Sequence, residues 1–230
     1  MEILAIIPAR GGSKGIKRKN IREICGKPLV GYTIDAAHGS KYVTRTIVST
    51  EDAEIKEVCE KLGAEVMNRP CELACDEAKT APVMLHVVEE LEKEGYKPDY
   101  ILLLQATCPL RDAKFIDEAC EFLFKNLEKG YDSCFSAFDK GCTHALWRIN
   151  PDGTVQSLYD HRTRPRRQEL ERHHPMICES GAFYLLKYDV FKEVKDFIGK
   201  CPIPYVTEQI IDIDEEEDFQ RVAEIVEKRK

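Results

Sequence analysis

The sequence predicts an α/β fold: a mostly parallel sheet with helices on both faces. Two observations carry this. Short, near-continuous apolar runs at 3–7, 45–49, 100–104 and 133–138 alternate with longer segments of helical periodicity, the pattern of strands buried on both faces. The first run also empties at Pro8 into a Gly/Ser/Lys loop, and open α/β sheets bind ligands beyond the carboxyl ends of their strands.

Each element has its own signal. A helix over 28–37 opens on Pro28, which is preorganised for a first turn. After the strand at 45–49, Asp52 caps a helix reaching about Leu62, and Gly63 ends it. A short strand at 65–67 precedes an amphipathic helix over 80–94, with Val83, Val87, Val88 and Leu91 on one side. The apolar strand 100–104, a helix over 113–127 and a strand at 133–138 follow. From about 140 to 178 the rhythm breaks: Gly141, Pro151-Asp-Gly153 and an Arg/His-rich stretch read as a hairpin and long loops inserted into the sheet. The core resumes at 182–186, with helices at 188–196 and 215–229. One domain over 1–230, carrying this insertion, is the expected organisation.

Composition narrows the function classes. A net charge of -7 with 43% hydrophobic and 33% charged residues fits a soluble globular chain with one substantial core. No run approaches the roughly 18 apolar residues of a membrane span, and no secretory leader is visible. Ten cysteines without a Cys-x-x-Cys pair argue against a zinc ribbon. Buried or idle thiols in a reducing cytoplasm are expected.

Two clusters carry chemistry. Arg10, Lys14, Lys17, Arg18 and Lys19 place cations on a glycine loop (Gly11, Gly12, Gly15) of an acidic protein, which points to a localised anion site. The spacings of the P-loop and of the dinucleotide fingerprint are both absent, so this is a phosphate loop of another kind. Near the C-terminus, Asp212 and Asp214 alternate along an expected strand end, so both carboxylates would share a face. Such a pair suits Mg²⁺, which prefers a few carboxylates plus substrate phosphates. A capping box from Asp214 to Glu217 would explain Asp214 but not Asp212.

The run Ile7-Pro-Ala-Arg-Gly-Gly-Ser-Lys-Gly15, with Lys19-Asn20 and Gly26-Lys-Pro-Leu29, resembles the signature of the CMP-sialic acid synthetases, the N-acylneuraminate cytidylyltransferases. Val48-Ser-Thr50, Arg69-Pro-x-Glu-Leu-Ala74, Leu103-Leu-Gln-x-Thr-x-Pro-Leu-Arg111 and Ile211-Asp-Ile-Asp214 match in the same order, covering nearly the whole chain. The resemblance implies a Rossmann-like sheet of the nucleotide-diphospho-sugar transferase type, with the insertion as a dimerisation element of a cytoplasmic homodimer. It also implies Mg²⁺-dependent transfer of CMP from CTP to the anomeric hydroxyl of a nonulosonic acid, releasing pyrophosphate.

Residue by residue, it implies that Arg10, Lys14 and Lys19 hold the triphosphate with the backbone of Gly11, Gly12 and Ser13. Asn20 would contact nucleotide or sugar, while Lys17 and Arg18 are as readily solvated. Thr80 opens a helix directed at the nucleotide, with an ordinary capping hydroxyl as the competing reading. Gln105 and Thr107 leave a strand at its carboxyl end, Gln105 towards the sugar, and Arg111 ties down their loop. Within the arginine-rich insertion, Arg166 is the first choice for the acceptor's carboxylate. Asp212 and Asp214 would hold Mg²⁺, and Asp214 or the metal would activate the hydroxyl. One departure stands out. Cys178-Glu-Ser-Gly181 replaces the Arg-x-Asn-Gly common in sialic-acid-specific members, so Ser180 stands where an amide would face the sugar, and Glu179 adds a charge. A relative of N-acetylneuraminate is the expected acceptor. Transfer to an octulosonate, a non-catalytic nucleotide-binding module and an RNA-associated role for the arginines stay open as alternatives.

Overall fold

The computed structural model describes residues 1–13, 15–139, 147–157, 160, 162–163 and 176–229. Seven strands form one sheet: β1 (Ile3–Pro8), β4 (Arg45–Thr50), β5 (Glu65–Asn68), β6 (Tyr100–Leu103), β7 (Ser133–Asp139), β10 (Ile177–Lys187) and β11 (Pro202–Thr207). Their order is β11-β7-β10-β6-β1-β4-β5, and only β10 runs antiparallel to its neighbours. The sheet is therefore mostly parallel, as the apolar runs predict.

Alternation along β1 shows how one strand serves two cores. Ile3, Ala5 and Ile7 pack with α1 (Leu29–Gly39), α2 (Ala53–Lys61) and α4 (Ala113–Asn126). Leu4 and Ile6 face the opposite way, onto α3 (Thr80–Lys93) and α5 (Tyr188–Val194). A third, smaller cluster joins Ile16 of the glycine loop, Ile24, Leu29 and Ile213 to Phe219 and Val222 of α6 (Glu216–Lys228). That cluster seats the loop after β1 against the segment carrying Asp212 and Asp214, although nearly 200 residues separate them.

The structure departs from the expected elements in four places. β11 carries Pro202 and Pro204, which mask a strand in the sequence. It lies at the sheet edge, where alternate residues donate nothing to a ladder, so proline is tolerated there. Pro28 is the N-cap of α1 rather than its first helical residue, and it ends a hairpin of β2 (Glu23–Ile24) and β3 (Lys27–Pro28). The turn of that hairpin, Cys25-Gly26, has positive φ at both residues. β10 begins at Ile177, five residues before the expected resumption of the core. Finally, Asp212 and Asp214 lie in an irregular segment after β11, not on a strand. Within the insertion, β8 (Trp147–Ile149) and β9 (Val155–Ser157) form the expected hairpin. Lys14 and Arg166 lie outside the described residues.

Candidate active site

Two cavities meet at the carboxyl end of β6. The first, about 380 Å³, is lined by Arg10, Lys19, Asn20, Thr80, Thr107 and Asp214, among others. The second, about 530 Å³, is lined by Glu179, Ser180, Gly181 and Asp212. Gln105 lines both and marks their junction.

The junction is built on a buried arginine. Arg111 is 2% exposed, and Nη1 donates to the carbonyls of Ala182 (2.6 Å) and Gln105 (3.3 Å). Nη2 donates to the Thr33 hydroxyl at 2.8 Å. One guanidinium thus ties the loop after β6 to β10 and α1, the structural role the sequence implies. No carboxylate among the described residues pairs with it, and burial lowers its pKa to about 10.

A bulge in β10 shapes the second cavity. Between Glu179 and Tyr184 the pairing with β7 slips, so several residues of β10 face Ser136 alone. The Ser136 hydroxyl fills the gap, accepting from Phe183 N (3.0 Å) and Ser180 Oγ (2.7 Å). The hydroxyl expected to face the sugar at Ser180 is therefore buried and spent inside the bulge. Gly181 sits at φ +73°, and a Cβ there would lie 3.2 Å from Asp212 Oδ2 and 3.3 Å from Gln105 Oε1. Only glycine lets β10 close over both groups.

Asp212 is half-buried beneath this corner, and its Oδ1 has no hydrogen-bond partner. Burial pushes its pKa up and nearby Asp214 adds to this, against a hydrogen bond from Thr107 and the charge of Lys19. Thr107 thus lies beside a carboxylate, a placement the motif alone does not assign. Ile213 is fully buried between the two aspartates, with its N–H on the Thr107 carbonyl at 2.9 Å. The alternation therefore survives without a strand, but Asp212 opens to the second cavity and Asp214 to the first. The capping box is real but sits one residue later: Glu215 is the N-cap and Asp218 the reciprocal partner. Asp218 Oδ2 accepts from the N–H groups of Asp214 and Glu215, both at 3.2 Å, so the Asp214 carboxylate takes no part in the cap.

The first cavity holds the loop cations, and Arg10 and Lys19 each have an internal partner. Arg10 Nη1 lies 3.0 Å from Asp76 Oδ1 and 3.2 Å from the Cys75 carbonyl. Lys19 Nζ donates to the Ile213 carbonyl at 2.6 Å and lies 3.7 Å from Asp214. The N–H of Gly11, expected to face phosphate, donates to Glu51 at 2.7 Å. Asn20 is buried and donates to the Arg10 carbonyl at 2.9 Å, bracing the loop. Thr80 is the first residue of α3, whose N-cap is Lys79, and no side chain caps that end. The capping-hydroxyl reading for Thr80 is therefore excluded. Arg69 also lines this cavity, fixed on Ser49 O at 2.6 Å. It went unassigned although it heads a matched motif.

Arg18 is not solvated. It forms a two-pronged pair with Asp52 at 2.5 and 2.9 Å and a further pair with Glu54, clamping the loop to the start of α2. Led by the Arg18 hydrogen bond, this lowers the Asp52 pKa to about 2. A depressed carboxylate stabilises the fold above its unfolded pKa and loses that contribution as pH falls through the folded value. Asp52→Asn is therefore expected to cost about 1–2 kcal/mol near neutrality. In urea titrations, the gap to the parent should shrink as pH falls from 4 towards 2.

Gly15 makes the loop's closest approach. A Cβ there would lie 2.6 Å from the Asp214 carbonyl, which is backbone and cannot swing aside. Gly15→Ala should push Asp214 away and cost about 1–3 kcal/mol. Steady-state kinetics should show kcat/KM falling about tenfold or more for the same displacement.

A family model described as cytidylyltransferase matches residues 4–227. The chain belongs to the cytidylyltransferase family. Among curated members, it is 32% identical to an N-acylneuraminate cytidylyltransferase of Escherichia coli, over 99% of this chain and 53% of that protein. A pseudaminic acid cytidylyltransferase of Campylobacter jejuni is 33% identical, over 87% of this chain and 84% of that one. The chain spans about half the length of the N-acylneuraminate cytidylyltransferases it matches. A solved CMP:2-keto-3-deoxy-manno-octonic acid synthetase complexed with CTP shares the fold, with a TM-score of 0.75, 14% identity and all of both chains covered. Family membership fits a sheet whose cation-lined cavity lies at the carboxyl ends of β1 and β6. No group of three or more metal-ligating side chains occurs among the described residues of this family member, so the aspartate pair stands without a third protein carboxylate or imidazole.

Proposed function

We propose that the chain transfers CMP from CTP to the anomeric hydroxyl of a nonulosonic acid and releases pyrophosphate. The observation that carries this reading is the place of Asp212: half-buried, with one oxygen lacking a partner, where a cationic cavity meets a polar one. A buried carboxylate oxygen without a donor is costly unless a cation arrives. This favours Mg²⁺ held by Asp212 and Asp214, with substrate phosphate and water completing its oxygen shell. When bound, Mg²⁺ would offset triphosphate charge and ease loss of the hydroxyl proton.

The chain's own groups do the rest. Arg10 exchanges Asp76 for phosphate, while Lys14 and Lys19 hold the remaining charge. Ser13 and Thr80 border the nucleotide, and Gln105 orients the acceptor across the junction. The acceptor oxygen attacks the α-phosphorus, forming a P–O bond as the bond to the β-phosphate oxygen breaks. The proton passes to Asp214, and pyrophosphate leaves towards the loop cations. The relatives' names support acidic sugars as acceptors: N-acylneuraminate and pseudaminic acid in two curated proteins, and an octonic acid in the solved synthetase. A cytoplasmic homodimer, joined through the insertion, is part of this reading. The exposed Ile149 and Val155, paired on the β8–β9 hairpin, support such a contact, and no described helix is long and apolar enough to cross a membrane.

The test is pyrophosphate release with CTP and Mg²⁺ against N-acetylneuraminate, deaminoneuraminate, legionaminate, pseudaminate and octulosonate. Release with one nonulosonate, lost in the Asp212→Ala/Asp214→Ala double variant, is expected. Silence with all five, with CTP still bound, would overturn the reading.

A further inference from the structure

We propose that Arg221, on α6, recognises the carboxylate of the acceptor acid. This deepens the proposed function and rests on it. Among the described residues lining the second cavity, Arg221 is the only cation, against the carboxylates of Glu179, Asp212 and Asp218. An acidic acceptor entering so negative a cavity would be repelled unless a cation met its carboxylate. The loop cations Arg10 and Lys19 line the first cavity instead and are tied to Asp76 and the Ile213 carbonyl.

Arg221 differs from the other arginines around the site. Arg10, Arg18, Arg69 and Arg111 are each fixed by hydrogen bonds. Arg221 makes no hydrogen bond or ion pair with any of the described residues. Of the acids one turn away on the helix, Asp218 is engaged by the N–H groups of Asp214 and Glu215, and neither Glu217 nor Glu224 pairs with Arg221. Glu179 is engaged from the other side by the Tyr184 hydroxyl at 2.9 Å. What remains is an unpaired planar fork at the mouth of a cavity adjoining the candidate metal pair. Such a fork takes a carboxylate through two parallel hydrogen bonds. The anomeric hydroxyl of a nonulosonic acid sits on the carbon that bears its carboxylate, so gripping the acid also aims the hydroxyl. No motif marks Arg221 in the sequence, whereas a matched segment points to Arg166.

The test uses the acid that the wild type turns over and its methyl ester, with Arg221→Ala, Arg221→Lys and Arg166→Ala compared. Arg221→Ala should raise the acceptor KM about tenfold or more, the scale for losing hydrogen bonds to a charged group. The KM for CTP should stay within about twofold, and the preference for acid over ester should vanish, with Arg221→Lys recovering part of it. These readouts would not move for a merely structural residue, and the exposed site predicts an unchanged melting temperature. An acceptor KM within threefold of wild type, or acid-over-ester preference lost in Arg166→Ala alone, overturns the proposal while leaving the function intact. No turnover of any acid by the wild type overturns the function and this proposal together.

Discussion

Arg111→Ala should cost about 3–5 kcal/mol of stability, read as a lower urea midpoint at unchanged slope. The guanidinium is sealed at 2% exposure, so its removal leaves the Ala182 carbonyl and the Thr33 hydroxyl without their arginine donor, while the Gln105 carbonyl keeps the Thr33 hydroxyl and the Cys108 N–H, both at 3.4 Å. Each buried orphan costs about 1–3 kcal/mol, and the lost packing of a long side chain adds to this. Arg111→Lys should recover only a minor part, because one ammonium cannot span acceptors on β10, α1 and the Gln105 loop. Activity in the folded fraction should fall as well, since Gln105 is the residue shared by both cavities. Replacing Arg111 with Met tests the electrostatic cost separately. It restores volume without the charge whose burial lowers the pKa to about 10. If Met proved as stable as the parent, the Ala182 carbonyl would have to find another donor.

How legible this was in the sequence follows the range of each interaction. The helices of the sheet domain were readable within a residue or two, because caps and periodicity are local: Asp52 does cap α2, and α3 does start at Thr80. β11 was unreadable because proline is penalised in a ladder, and only the sheet order shows that this strand lies at an edge. The same division runs through the site. Arg10, Lys19, Gln105 and Asp214 were found from motifs, and one cavity gathers them. What the motifs could not carry was who competes for these groups. Glu51 takes the Gly11 N–H, Ser136 takes the Ser180 hydroxyl, and Thr107 turns to Asp212. Each partner comes from a different strand or loop, so the engagement exists only after folding. Arg221 was missed for the opposite reason: it is notable for having no partner among the described residues, which no sequence pattern records.

Asp212→Asn should separate activity from stability. Transfer should fall by at least about 100-fold, because the amide keeps the shape but loses the charge that a divalent cation needs. Stability without Mg²⁺ should not fall with it. Burial raises the pKa of Asp212 and Asp214 adds to the effect, so the ionised carboxylate is strained in the fold near neutrality, and a neutral amide relieves that cost. The decisive readout is thermal. Mg²⁺ with CTP should raise the melting temperature of the parent by mass action, and leave Asp212→Asn with the smaller shift that CTP alone gives. Asp214→Asn should lose activity too, but with little gain in stability, because Asp214 is exposed and its charge is already solvated. If Asp212→Asn instead destabilised the metal-free protein, the carboxylate would be held by donors in the fold, and the partnerless Oδ1 would no longer argue for a cation. A functional group kept at a cost to the fold is expected where the missing partner is part of the reaction.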